Sequence, residues 1–140
     1  MSIQYDEMTI LDYPDVIALW QNSQGIGLSA ADTLSGISIY LARNPGHSFV
    51  ARDQAKLVGA VLCGHDGRRG YLHHLAVQPA YRRQGIGQAL VERCITRLRA
   101  AGIDKCHIFV YSANQEGQAF WEKIGWVLRT NLLLMSYEQS

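Results

Sequence analysis

Cysteine is scarce in this chain, with three in 140 residues, Cys63, Cys94 and Cys106. They are too few and too scattered for a disulfide framework or a structural zinc site. Buried free thiols in a reducing cytoplasm are the expectation, with no metal. An excess of one charge is also lacking: 13 basic residues face 12 acidic ones, a net charge of +1. That balance argues against nonspecific nucleic-acid or membrane-surface binding, both of which favour a strongly basic face. No segment approaches a membrane span, because even the mild stretch from Ile26 to Ala42 is broken by Asp32 and several hydroxyl residues. MSIQYDEMT at the N-terminus has neither a basic start nor an apolar run, so no signal peptide is expected. Repeats, low-complexity tracts and linkers are absent as well. What remains is 48% hydrophobic and 18% charged, a globular composition at about the length of one domain, so residues 1–140 are expected to fold as one.

Strand and helix periods alternate along the chain. SIQYDEMTI reads as a strand, and Asp12-Tyr13-Pro14 opens a helix with proline in its first turn. Ser29 is placed to cap a second helix running to about Arg43, which Asn44-Pro45-Gly46 ends. A hairpin follows, Ser48 to Arg52 and Leu57 to Gly64, and then a strand from Tyr71 to Val77. Gly85 to Ala101 is the clearest helix: Ile86, Leu90, Val91, Cys94, Ile95 and Leu98 share half of its wheel, and Gly102 is placed to end it. Lys105 to Tyr111 reads as a strand and the segment through Phe120 and Ile124 as a helix, with Trp126 to Thr130 and Leu132 to Tyr137 as two closing strands. This order is α+β with a mixed sheet, its parallel pair joined through the Gly85 helix.

Between the fourth predicted strand and that helix lies LAVQPAYRRQGIG, residues Leu75 to Gly87. A helix start offers backbone N–H groups without intrahelical partners, and its dipole favours anions. Gly85 and Gly87 allow a phosphate close to the backbone, and Arg82 and Arg83 add charge-assisted donors. Two familiar phosphate loops do not fit. No GxxxxGK[ST] occurs, and the third glycine of a dinucleotide fingerprint is replaced by Leu90.

The string instead resembles the acyl-CoA signature [QR]xxGx[GA] of the GNAT acetyltransferase superfamily, with Arg82, Gly85 and Gly87 in its fixed positions. NQEGQAFWEKIGW further on is similar to the family's N…A…FYEKxGF segment, matching at Asn114, Ala119, Phe120, Glu122, Lys123 and Gly125. The resemblance covers essentially the whole chain. It implies the GNAT fold: a mixed, mostly antiparallel sheet of about six or seven strands, about four helices, and a central parallel pair that splays to admit CoA. It also implies acetyl transfer from acetyl-CoA to a primary amine of a small molecule or peptide. Homodimers are common among proteins of this fold.

By that resemblance, pantetheine runs along the backbone at Leu75, Ala76 and Val77. The pyrophosphate lies on the N–H groups of Arg83, Gln84, Gly85, Ile86, Gly87 and Gln88. Asn114 contacts the pantetheine or phosphate arm, and Phe120 packs in the core with an edge toward the cofactor. Histidines occupy the positions of Tyr71 and His73 in members that acetylate arylalkylamines, which makes His73 the candidate base, with Tyr71 able to organise a water chain. An ordinary histidine pKa of about 6.5 suits that task. Strand alternation puts His73 and His74 on opposite faces and, unless a bulge intervenes, Tyr71, His73 and Leu75 on one, leaving His74 a structural part. Trp121 departs from the family, where a tyrosine is common; an indole N–H is not a useful acid. That departure keeps a second reading open, a non-catalytic acyl-CoA-binding sensor or interaction module. The acceptor would lie against the first two helices and their loop, around Trp20 to Asp32, and the hairpin of the closing strands.

Overall fold

A strand is defined by what it pairs with, and among the described residues five segments find partners. A computed structural model describes residues 2–139. They divide into two compact units, one reaching Phe109 and the other starting at Val110. The first unit holds a sheet of β1 (Ile3–Glu7), β2 (Phe49–Asp53), β3 (Lys56–His65), β4 (Gly70–Val77) and β5 (Cys106–Ile108), in that spatial order. The junctions from β1 to β4 are antiparallel, and β4 and β5 run parallel. Three helices belong to this unit, α1 (Tyr13–Gln21), α2 (Leu34–Arg43) and α3 (Ile86–Ala100); α4 (Gln115–Lys123) lies in the second. The α+β class and the mixed, mostly antiparallel sheet with four helices are as the sequence implies.

β3 is buried from Leu57 to Gly64 because helices cover both of its faces. Val16, Leu19 and Trp20 of α1 and Ile37 of α2 pack with Leu57, Ala60, Leu62 and Ala76 on one side. On the other, α3 comes so close that a Cβ at Gly59 would lie 3.1 Å from Leu90 Cδ1. Leu90, Cys94 and Leu98 are fully buried, which is the stripe that their spacing dictates. Among the described residues no helix is long and apolar enough to cross a membrane.

Three expectations change. Ser29 does not cap α2. Its hydroxyl and the Asp32 carboxylate close a capping box around a 3-10 turn, Ala30–Asp32, and Thr33 caps α2 by accepting the Gly36 N–H at 3.1 Å. The Ser29-x-x-Asp32 spacing completes a box of its own, so the helix restarts from the next hydroxyl residue. The fifth strand is shorter than Lys105 to Tyr111, since only Cys106 to Ile108 pair with β4. The two closing strands do not form: Trp126 to Thr130 and Leu132 to Tyr137 contain no strand, and Leu133, Met135 and Tyr137 are at least 90% exposed. Apolar spacing records fitness for a pleated surface, and without a ladder partner it makes no strand.

Candidate active site

β4 carries one residue more than β3 allows. Leu62 pairs with His73 and Ala60 with Ala76, so Val61 alone opposes both His74 and Leu75. This is a β-bulge on β4, and His74 takes the extra turn with φ of 57°, a left-handed value unusual for a non-glycine residue. The bulge overturns the expected alternation. His73 shares the α1/α2 face with its cross-strand partner Leu62, and after the inserted residue it is Ala76, not Leu75, that returns to that face. His74 turns the same way, its ring 5.0 Å from that of Trp20 on α1. Both histidines therefore sit on one side of the sheet, against the first two helices.

Asp32 meets His74 there. His74 Nε2 and Asp32 Oδ1 are 2.8 Å apart, and the carboxylate side chain is 8% exposed. The other oxygen, Oδ2, accepts the Ser29 N–H at 2.9 Å, and the Tyr13 hydroxyl donates to the Asp32 carbonyl at 2.8 Å. The carboxylate is thus fixed in direction before it touches the imidazole. His73 has different company. Its ring stacks with Tyr71 at 6.4 Å and Phe109 at 6.2 Å and meets Tyr40 of α2 edge-on at 6.1 Å. Burial lowers its pKa from the ordinary value, the neighbouring His74 adds to the lowering, and Asp32 opposes it. Burial also pushes the Tyr40 hydroxyl well up, so it stays protonated.

Beyond these rings the parallel strands part. β5 pairs with Gly70 to Leu72 only, so β4 from His73 to Val77 has no β5 partner. Gln78 N–H donates to Val58 C=O at 2.8 Å. Antiparallel hydrogen bonding alternates along a strand, so the polar groups of Val77 point away from β3, toward the open side. Arg82 Nε reaches the Val77 carbonyl at 3.3 Å, consistent with that direction.

A 3-10 turn, Pro79–Tyr81, leads from β4 to the start of α3. Arg83 and Gly85 have φ of 63° and 81°, and Gly85 is the cap residue. Among the described residues, none of the N–H groups from Arg83 to Gln88 donates to a protein acceptor; Ala89 is the first to do so, to Gly85 C=O at 3.0 Å. Left-handed residues interspersed in such a run turn successive N–H groups into one concavity suited to an anion. Arg82, Arg83, Gln84 and Gly85 are exposed, and Ile86 is buried as the anchor.

The model of the Acetyltransferase (GNAT) family matches residues 14–126. An acetyltransferase of Sodalis glossinidius is 31% identical over 124 residues, 89% of this chain and 87% of that protein. One of Pectobacterium atrosepticum is 33% identical over 113 residues, 81% and 79% of the two. The chain belongs to the GNAT acetyltransferase family. Its fold agrees: the crystal structure of the PaiA N-acetyltransferase from Thermoplasma acidophilum in complex with coenzyme A superimposes with a TM-score of 0.80 at 20% identity, covering 92% of each chain. This GNAT protein is accordingly an acyltransferase.

In the second unit of this GNAT chain, Asn114 caps α4, its side-chain oxygen accepting the Gly117 N–H at 2.9 Å. Phe120 packs edge-on to Trp121 at 5.2 Å, and Trp121 in turn on Trp126 at 4.7 Å. The residue that sequence reasoning missed is Asp32. A capping-box spacing from Ser29 marks it locally, but its contact with His74 spans 42 residues and follows from the bulge.

Proposed function

We propose that this GNAT enzyme transfers the acetyl group of acetyl-CoA to a primary amine of a small molecule or peptide. The observation that carries the reading is the run of N–H groups from Arg83 to Gln88 that find no acceptor among the described residues, with the exposed Arg82 and Arg83 at its start and an open strand edge beside it. Those groups suit a pyrophosphate, which brings negative charge and several acceptors to donors that no protein atom satisfies. The outward groups of Val77, with Leu75 and Ala76 before it, suit an amide-bearing arm added to the strand edge. Arg82 would then exchange its Val77 contact for a phosphate. Asn114 and Phe120 complete the cofactor residues that the family resemblance suggests.

Aliphatic amines have pKa values of about 10 and are mostly protonated at neutral pH, so the site has to accept a proton. The resemblance favours His73 with Tyr71 beside it, and both stand on the α1/α2 face at the strand opening. A backbone N–H near Val77 is suited to the oxyanion that forms as the amine attacks.

Thermal denaturation with CoA tests the cofactor reading without an acceptor. Saturating CoA should raise the Tm, and Arg82→Ala and Arg83→Ala should each need more CoA for the same shift. Replacing Gly85 or Gly87 by a bulky residue should remove the shift. Wild-type protein with no shift at millimolar CoA would overturn the reading. Thiol release across a broad amine panel then identifies the acceptor class.

A further inference from the structure

We propose that His74, rather than His73, takes the proton of the attacking amine, through Nδ1, and that Asp32 is its positioning residue. The inference rests on the acetyl-transfer reading above and adds the group that takes the proton released as the amine attacks. Four observations converge on it.

The first is conformational. A histidine at φ 57° is an uncommon arrangement, and strained backbone persists only where the surrounding structure holds it. Here the strain turns an imidazole toward α1 and Asp32 that alternation would have sent elsewhere. The second is the carboxylate. A carboxylate only accepts hydrogen bonds, so at 2.8 Å the hydrogen of a neutral imidazole lies on Nε2 and the lone pair is left on Nδ1. Asp32 cannot swing away, because Ser29 N–H holds its second oxygen. The third is access. Among the described residues Nδ1 has no protein partner, and it is not one of the buried unpaired atoms, which are Trp20 Nε1 and His47 Nε2. The His74 side chain keeps 18% of its surface exposed. The fourth is location. His74 lies in the stretch of β4 that has lost its β5 partner, between the strand opening and the α1–α2 connection.

His73 lacks these features. No carboxylate orients it, and the rings of Tyr71, Phe109 and Tyr40 surround it. The titratable groups that face the His74 pair are Asp32 from the 3-10 turn, His73 from β4, and Tyr13 from α1 through its bond to the Asp32 carbonyl; Tyr40 from α2 faces His73.

The chemistry balances without a further reactant. The neutral amine nitrogen forms a bond to the thioester carbonyl carbon, and the carbonyl pair moves onto oxygen. The nitrogen, now cationic and acidic, gives its proton to His74 Nδ1. The oxygen pair returns, the carbon–sulfur bond breaks, and the sulfur leaves with the bonding pair. It takes up one proton, directly or through water, as the imidazolium returns to neutral. The products are the acetamide and free CoA thiol.

The test compares wild type with His74→Asn, His74→Gln, Asp32→Asn and His73→Gln. Asparagine tolerates left-handed φ, so His74→Asn keeps the bulge and guards against a variant that merely misfolds. With any amine that the wild type acetylates, His74→Asn should lose about 100-fold or more in kcat/KM together with the acidic limb of the pH–rate profile, and retain the CoA-induced Tm shift. Asp32→Asn should lower kcat while leaving the KM for acetyl-CoA and the CoA-induced Tm shift in place, and His73→Gln should keep the acidic limb. Independently of turnover, nitrogen NMR of the wild type should show His74 as the Nε2–H tautomer. An acidic limb that survives in both His74 variants, or an Nδ1–H tautomer, overturns the assignment and leaves acetyl transfer standing. Protein that CoA stabilises but that acetylates no amine overturns the acetyl-transfer reading itself, and the base with it.

Discussion

A half-buried histidine records its environment in the pH dependence of the whole fold. The pKa of His73 is lowered, first by burial and then by His74, so the unfolded chain binds that proton more readily than the native one. Stability from this residue is therefore fully present above about pH 6.5, the ordinary value, and falls as the pH drops toward the lowered native value. His73→Phe should flatten the loss of Tm between about pH 7.5 and about pH 5.5 relative to wild type. Parallel slopes for the two proteins would show that the ring is free of a burial penalty. The adjacent residue illustrates what a sequence conceals. The pair His73-His74 sits inside an apolar run, and alternation assigns the two to opposite faces. Whether a bulge intervenes depends on how many residues the opposing strand offers, which is a property of β3 and its pairing, not of β4. Asp32 was illegible for the same reason, since it becomes a partner only once His74 has turned.

At the level of elements, α3 is the piece whose period alone determined its place. Leu90 is fully buried against β3, so Leu90→Ala should cost about 2–5 kcal/mol of unfolding free energy in urea titrations. Gly85→Ala makes a useful contrast. A Cβ there meets nothing within 4 Å, so its cost is torsional, about 1–2 kcal/mol from the left-handed φ of 81°. A larger loss for Gly85→Ala than for Leu90→Ala would contradict this division between packing and torsion. The run of open N–H groups before α3 was legible because glycine, arginine and helix start are all local to one string. The shortened β5 and the missing closing strands were not. Their apolar residues satisfy a strand pattern equally well whether or not a ladder partner is present, and Leu133, Met135 and Tyr137 remain in solvent. Ser29 misled differently: it is a cap, but of a 3-10 turn, because Asp32 completes the box one turn before α2 begins.

Across the whole molecule, a net charge of +1 produces little long-range field, so the proposed capture of a polyanion would fall to the local group of Arg82, Arg83 and the N–H donors left open among the described residues. Local donors are selective for shape as well as charge. Sulfate should therefore raise the KM for acetyl-CoA more than chloride does at matched ionic strength, and Arg83→Ala should narrow the difference; equal effects would reduce the cradle to simple screening. There is a consequence for the resting protein. Cells are rich in phosphate esters, and by the proposed function these would compete for the same donors. On the proposed reading, the enzyme's starting state in such a medium would be a loaded one, and acetyl-CoA would enter by trade, displacing a smaller anion. Its apparent affinity would then be a ratio between two guests, set by the composition of the medium as much as by the fold.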